Sequence, residues 1–185
     1  EIAYQLTTKG KPRFSSAARS AELRKRFHNA DVHIGTPMTT KDELRQARLK
    51  TVRDHMALEC TQDWDGVIDT FEHPRYEMYG NGNVYDGEEQ VRAYFHSSRQ
   101  AFPDQTNEII SIAADDERNT VLVEFFLVGT HLGEFKVRDK TYPATGKSFK
   151  VRMAASFLFG PDSAKIICER PYTSPDLKLM ALGLL

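Results

Sequence analysis

Between residues 105 and 172 the chain reads as β segments in immediate succession: "QTNEIISIAAD" (105–115), "TVLVEFFLVGTH" (120–131), "KSFKVRMAASFLF" (147–159) and "AKIICERPY" (164–172). Each is rich in β-branched and aromatic side chains, and the breaks "DDERN", "PATGK" and "GPDS" are polar or carry Gly and Pro. This run constrains the fold more than any other feature. Consecutive long strands joined by such turns pair as an antiparallel meander. One face of that sheet needs a cover, and the cover has to come from the residues before 105.

There the periodicity is helical. "TKDELRQARLKTVRDHMALEC" places Leu49, Val52, Met56 and Cys60 at helical spacing, with Asp42 and Glu43 near the positive end of the helix dipole. His55, next to inward-facing Met56, is expected on the exposed side. Trp64, Val67, Ile68 and Phe71 make the apolar face of a second, shorter helix, which Pro74 stops. Tyr76, Met78 and Tyr79 favour strand, and "GNGN" is turn chemistry. Asp86-Gly87 opens a third helix with Val91, Tyr94, Phe95 and Phe102 on one side, ended by Pro103. Helices first and sheet after predict an α+β fold: a cone-shaped curved antiparallel sheet wrapped around the N-terminal helices and enclosing a cavity.

The ends differ from this centre. Residues 1–40 form a basic extension with Lys9, Lys11, Arg13, Arg19, Arg24, Lys25 and Arg26, and "SSAARSAELRKRF" is expected to be helical from Ser15 or Ser16 to about Phe27. The cone is expected over 41–172. The tail, 173–185, carries Leu177, Leu179, Met180, Leu182, Leu184 and Leu185 behind a Ser174 cap with Pro175 at the first helical position. A free end so apolar has to dock, over its own cavity mouth or on a second subunit. The chain begins at Glu1 rather than Met, which leaves room for an upstream segment.

Composition narrows the partners. The formal net charge is -1, so no global field draws the chain to nucleic acid or to an acidic membrane. No apolar run approaches the ~18 residues of a membrane span, and no secretory pattern is visible. Cys60 and Cys168 read as reduced thiols of a cytoplasmic protein. No Cys/His pair has zinc spacing, and "GNGNVYDG" lacks the context of a dinucleotide-binding loop.

Period-two reading sorts the strand side chains. Phe149, Val151, Met153, Ala155 and Phe157 share an apolar face that should line the interior, with Lys150 and Arg152 opposite. His131 has the parity of Val123, Phe125 and Leu127. Glu124 either sits outside and pairs with Arg152, the favoured reading, or points inward as a base.

"FPDQ" (102–105), "VGTHLGEF" (128–135), "PATGKSFKV" (143–151) and "KIICERPY" (165–172), in that order, with "YDGEEQVRAYF" at the third helix, resemble the SnoaL-like polyketide cyclase family. That family belongs to the nuclear-transport-factor-2-like (cystatin-like) superfamily. The resemblance spans roughly residues 45–172 and implies a cone with a small-molecule site, on which isomerases, dehydratases, epoxide hydrolases, cyclases and non-catalytic binders all occur. In the family the histidine of the GTH motif lies in the pocket, which makes His131 the leading acid/base; the alternative is a strand-end histidine bonded to backbone. The family's cyclases also use an aspartate on the strand after the TG turn. Here no acid lies between Gly146 and Gly160. Asp104, Glu134 and Glu169 are the replacement candidates, Asp104 and Glu134 reading otherwise as turn residues.

Trp64, His73, Tyr76, Tyr94, Phe125, Met153, Phe157 and Tyr172 are the candidate ligand-contacting side chains, with Arg170 able to clamp an anion or pair with an acid. The expected function is cofactor-independent acid–base chemistry, without metal, on an apolar cyclic or polyketide-like molecule. The alternative is a non-catalytic ligand-binding or interaction module. A homodimer is expected, paired through the outer sheet face.

Overall fold

The computed structural model describes residues 40–185. The basic extension and its expected helix lie outside the described residues.

Helix α1 (Thr40–Thr61) is followed by α2 (Trp64–Asp69), the short strands β1 (Arg75–Glu77) and β2 (Val84–Asp86), and α3 (Glu88–Ala101). Then come β3 (Thr106–Asp115), β4 (Thr120–Thr130), the hairpin β5 (Phe135–Val137) and β6 (Lys140–Tyr142), β7 (Ser148–Phe159), β8 (Ile166–Tyr172) and α4 (Pro175–Leu182). The main sheet runs β2-β1-β8-β7-β4-β3, and β5-β6 stands apart. The fold is α+β, as the sequence pattern implies. The sheet, however, is mixed. β3, β4, β7 and β8 form the expected antiparallel meander, but β1 pairs parallel to β8 through Tyr76 and Glu169. Between β1 and the meander lie only β2, antiparallel to β1, and the single helix α3, which carries the chain back before β3, so β1 and β8 run in one direction.

The long strands alternate as their sequence requires. Val121, Val123, Phe125, Phe149, Val151, Ala155 and Phe157 are buried against the helices. Register between β4 and β7 is unbroken from Thr120↔Leu158 to Thr130↔Ser148, so no bulge at Gly129 turns His131 outward. Glu124 lies on the outer face and pairs with Arg152 at 2.6 Å. Two irregularities do occur, at Ile110 in β3 and opposite Leu158/Phe159 in β8. The second absorbs Ile167, and beyond it Glu169 faces inward while Arg170 and Tyr172 face out.

Helix α1 is held by more than its apolar stripe. Arg48 is buried and its guanidinium donates to the carbonyls of Gly160, Pro161 and Ser163 at 2.7, 2.9 and 3.0 Å, fixing the β7–β8 turn. Gly133 follows from close approach: a Cβ there would stand 2.1 Å from the Gln100 carbonyl oxygen. Helix α4 starts on Ser174, whose hydroxyl accepts from the Asp176 N–H, and ends on Gly183 in the left-handed region. It lays Leu179 and Leu182 against two groups of buried side chains, around Phe102 and Phe149 and around Val137 and Tyr142. No helix among the described residues is long and apolar enough to cross a membrane.

Candidate functional site

A buried polar cluster lies where α1, β1 and β8 meet. His55 has no exposed surface, which corrects the expectation of an exposed residue. The reason is helical phase. Arg48, Val52, His55, Met56 and Glu59 recur at i, i+4, i+7, i+8 and i+11, so the histidine and the glutamate ride on the same stripe as the core residues. Counting only apolar positions hides them.

The ring is fixed from both sides. Thr70 donates its hydroxyl proton to the Val67 carbonyl at 2.6 Å, which leaves the oxygen to accept from His55 Nδ1–H at 2.8 Å. The proton on Nδ1 is thereby assigned, and Nε2 is the working nitrogen. It lies 3.1 Å from Glu169 Oε2 and 3.1 Å from the Tyr76 hydroxyl. The one hydroxyl proton of Tyr76 is donated to Glu59 Oε1 at 3.1 Å. The rings of Phe71 and Phe157 stand edge-on to the imidazole at 5.2 and 5.6 Å. Glu169 is buried, whereas Glu59 keeps 19% of its side-chain exposure and connects the cluster to solvent.

Two carboxylates so close in an apolar shell cannot both stay ionised without compensation. Burial, with the Glu59 charge adding to it, holds the Glu169 carboxyl above its usual range against the pull of His55. Burial disfavours the His55 imidazolium, but the bond to Glu169 and the charges of Glu59 and Glu169 outweigh it and raise the group. One proton is therefore held between Nε2 and Oε2. Burial, with the Glu169 and Glu59 charges, pushes the Tyr76 phenol far up, so it stays a donor.

His55, Glu59 and Glu169 also offer ligand atoms that all lie within 4.8 Å of one another. One imidazole and two carboxylates suit a divalent transition ion. Each of these atoms is already engaged in the proton-shared network, which serves the same charge balance.

The other sequence candidates fall in several places. Phe125 and Phe157 are buried, Met153 is half-buried opposite Phe125, and all three belong to the main core. Trp64 stacks on Phe95 at 4.8 Å, Phe95 meets Tyr76 at 5.5 Å, and Tyr94 meets Tyr76 at 5.3 Å, a continuous ring path from the cluster. Tyr172 has outward parity, is 43% exposed, sets its ring against Tyr79 at 5.6 Å and lines a surface cleft with Arg170. Arg170 is on the same outer face and pairs with Glu77 at 2.6 Å. His73 is exposed and bonded to Asp86 at 2.6 Å. Surface clefts of 290 Å³ beside Arg48 and 440 Å³ beside Tyr79 and Arg170 are not lined by the cluster.

His131 lies at the opposite end. Its neighbour across the sheet is near Phe149, whereas His55 meets Phe157, eight residues along β7 and so roughly 26 Å away. The imidazole is fully buried, with Nδ1 3.1 Å from Thr145 Oγ1 and the rings of Phe102 and Phe135 at 5.5 and 6.1 Å. Its Nε2 is buried without a hydrogen-bond partner among the described residues. The His131 main chain anchors the turn before β7, donating to Lys147 and accepting from Thr145 and Gly146. Asp104 is exposed and accepts from the Thr130 N–H at 2.8 Å, clipping β4 to the end of α3. Glu134 is exposed. Neither carboxylate is brought to His131 within hydrogen-bond reach, and Glu169 meets His55 instead.

A six-stranded curved sheet packed on helices is the fold shared with solved structures described as ketosteroid-isomerase-like and NTF2-like. The sequence places it more closely: the SnoaL-like domain family matches residues 52–167, and the chain belongs to that family. No match is found among curated proteins. Among solved structures, a candidate SnoaL-like polyketide cyclase from Jannaschia sp. CCS1 is similar with a TM-score of 0.64 and 19% identity, over 76% of this chain and 94% of that one. The phenazine biosynthesis-related protein PhzB2 of Pseudomonas aeruginosa gives 0.63 and 21%, over 86% and 93%. AclR of Streptomyces galilaeus, a candidate hydroxylase, gives 0.60 and 22%, over 75% and 96%. At these identities the likeness is one of fold.

Proposed function

We propose that this domain is a cofactor-independent acid–base enzyme that moves a proton on an apolar cyclic or polyketide-like molecule, with His55 and Glu169 as the proton-handling pair. The observation that carries this reading is the buried 3.1 Å contact between His55 Nε2 and Glu169 Oε2, with the Tyr76 hydroxyl 3.1 Å from the same nitrogen. A carboxyl raised toward neutrality is matched to its task as a base or acid. In the ionised form it takes a proton from carbon next to a carbonyl. His55 accepts or returns that proton through Nε2. Tyr76, held protonated, turns its one hydroxyl proton from Glu59 Oε1 to the oxygen on which negative charge develops. Glu59 bonds the Tyr76 hydroxyl and stands at the solvent side. The family membership supports a small-molecule site, and the solved relatives named for cyclisation and hydroxylation support that type of substrate.

The test is solvent deuterium incorporation. A panel of cyclic 1,3-diketones and aryl ketones is incubated with protein in deuterated buffer, and exchange next to the carbonyl is read by mass spectrometry. Wild type is expected to accelerate exchange on at least one class. Glu169→Gln and His55→Gln are expected to lose about two orders of magnitude. No acceleration on any member, or acceleration that survives both substitutions, rejects the reading.

A further inference from the structure

A second polar group, half-buried at the end of the cone that α4 covers, is not used by the proton-handling pair. Helix α4 sends Lys178 inward. Its ammonium stands 4.5 Å from the centre of the Phe102 ring and 5.3 Å from that of Phe149, and donates to Gln105 Oε1 at 2.8 Å. Gln105 is itself buried. From α3, the Arg99 guanidinium lies 5.3 Å over the ring of Trp64, with Nη1 donating to Ser98 Oγ at 3.1 Å. Arg99 Nε is buried and has no hydrogen-bond partner among the described residues. Neither cation has a carboxylate partner among the described residues, although most other Arg side chains described are paired. The two cations are near enough to feel each other: burial, with the Arg99 charge adding, pushes Lys178 down to about 7.

Two like charges drawn into an aromatic setting without a counter-ion raise the free energy of the empty protein, and an anion relieves it. The unbonded Nε of Arg99 leaves part of a guanidinium fork free, the geometry that grips a carboxylate or phosphate. Position supplies the link to the acid–base cluster. Trp64, under Arg99, stacks on Phe95, and Phe95 touches Tyr76. Tyr94 senses both groups: burial and the charges of Glu59 and Glu169 raise its phenol, while Arg99 acts in the opposite sense.

We infer that Arg99 and Lys178 form an anion clamp at this end of the cone, and that the ligand is an apolar molecule carrying a carboxylate or phosphate group. The anionic end binds between α3 and α4, and the apolar body lies along Trp64 and Phe95 toward Tyr76. This rests on the proposed role of the His55–Glu169 pair only for what happens at the other end.

Trp64 is the single tryptophan of the chain and reports the site directly. Its fluorescence is followed while the full chain is titrated with benzoate, phenyl phosphate and the neutral isostere benzamide. Saturable binding of benzoate or phenyl phosphate is expected, at least tenfold tighter than benzamide, and the tighter of the two identifies the anionic group. Arg99→Gln and Lys178→Met are each expected to weaken it about tenfold, with Arg99→Lys retaining most of it; circular dichroism confirms that the variants are folded. His55→Gln and Glu169→Gln should leave anion binding unchanged, so failure of the clamp and failure of the proton-handling pair read out separately. Equal affinity for benzoate, phenyl phosphate and benzamide, no saturable response to either anion, or undiminished binding in folded Arg99→Gln and Lys178→Met overturns the inference.

Discussion

His55 and Glu169 are 114 residues apart in the chain and 3.1 Å apart in the fold. One sits on the first described helix and the other on the last strand of the sheet. Closing the β1–β8 pair brings them together, because Tyr76, the β1 residue opposite Glu169, bonds the same imidazole nitrogen.

This contact makes the two substitutions unequal. Glu169→Gln keeps shape and hydrogen bonding but removes the buried acid. It should cut catalysed exchange by about two orders of magnitude while changing stability by about 1 kcal/mol or less, since a buried carboxyl is itself costly. His55→Ala should cost about 2–4 kcal/mol, because it opens a hole beneath Phe71 and Phe157 and strands the Glu169 carboxyl. Urea denaturation of both variants checks the order; a larger loss for Glu169→Gln would contradict it.

Stability should also depend on pH in a defined sense. Both groups are raised in the folded protein. The native state therefore binds more protons than the unfolded chain above the ordinary values of 4.5 for Glu169 and 6.5 for His55. Their contribution is complete below about 4.5 and is lost as pH rises through the two folded values. Wild type minus Glu169→Gln, measured by chemical denaturation from pH 4 to 9, should decline with rising pH. A flat or rising difference would show that Glu169 is not raised.

Much of this arrangement is written locally in the sequence, and part is not. The period-two pattern of β4 and β7 gives the inner face, the Glu124–Arg152 pair and the inward parity of His131. Ser174-Pro175 gives the start of the last helix. The acid–base cluster was hidden for a different reason. A helix face is commonly read from its apolar members, and α1 carries Arg48, His55 and Glu59 on its core stripe. The signal that finds them is phase, with His55 three and Glu59 seven positions after Val52. The inward direction of Glu169 depends on the irregularity at Ile167, and the parallel β1–β8 pairing on a three-residue strand, neither of which has a local signature. The GTH motif is legible, but it leads to the end of the interior where packing is by rings.

That end makes its own prediction. His131 is enclosed by Phe102 and Phe135 and leaves Nε2 without a partner. His131→Ala should lower stability by about 2–4 kcal/mol through the cavity it creates. His131→Phe removes the unpaired nitrogen but loses the bond to Thr145, and should cost less than alanine. Neither should remove ketone exchange. Loss of exchange in folded His131→Phe, measured under saturating substrate, would return the acid–base role to His131.

The outer face bears on assembly. Leu122 and Ile110 are 49% and 42% exposed beside the Glu124–Arg152 and Lys150–Glu108 pairs. Apolar patches rimmed by charge suit a symmetric pair of subunits. A homodimer is expected at micromolar concentration by light scattering, and Leu122→Asp should shift it to monomer without unfolding. A wild-type monomer would reject this interface.

Protonation of Lys178 joins the tail to the proposed anion clamp. With its amine held down to about 7 by burial and by Arg99, Lys178 is largely neutral at pH 8 in the free protein. Among the other charges near α4, Lys147 is bound to the Leu182 carbonyl and Asp176 to Arg138, so neither compensates it. A bound carboxylate favours the ammonium form, and binding must then take up a proton. Calorimetric titration with benzoate at pH 8, in buffers of different ionisation enthalpy, should show uptake approaching one proton, and affinity should weaken as pH rises above 7. In Lys178→Met the uptake should vanish. Leu179→Ala separates docking from charge: it removes a buried leucine from the tail contact and should cost about 2–4 kcal/mol, yet keep the proton uptake wherever the protein remains folded. Proton uptake that is zero in wild type, or that persists in Lys178→Met, would mean that α4 closes this end of the cone by packing alone.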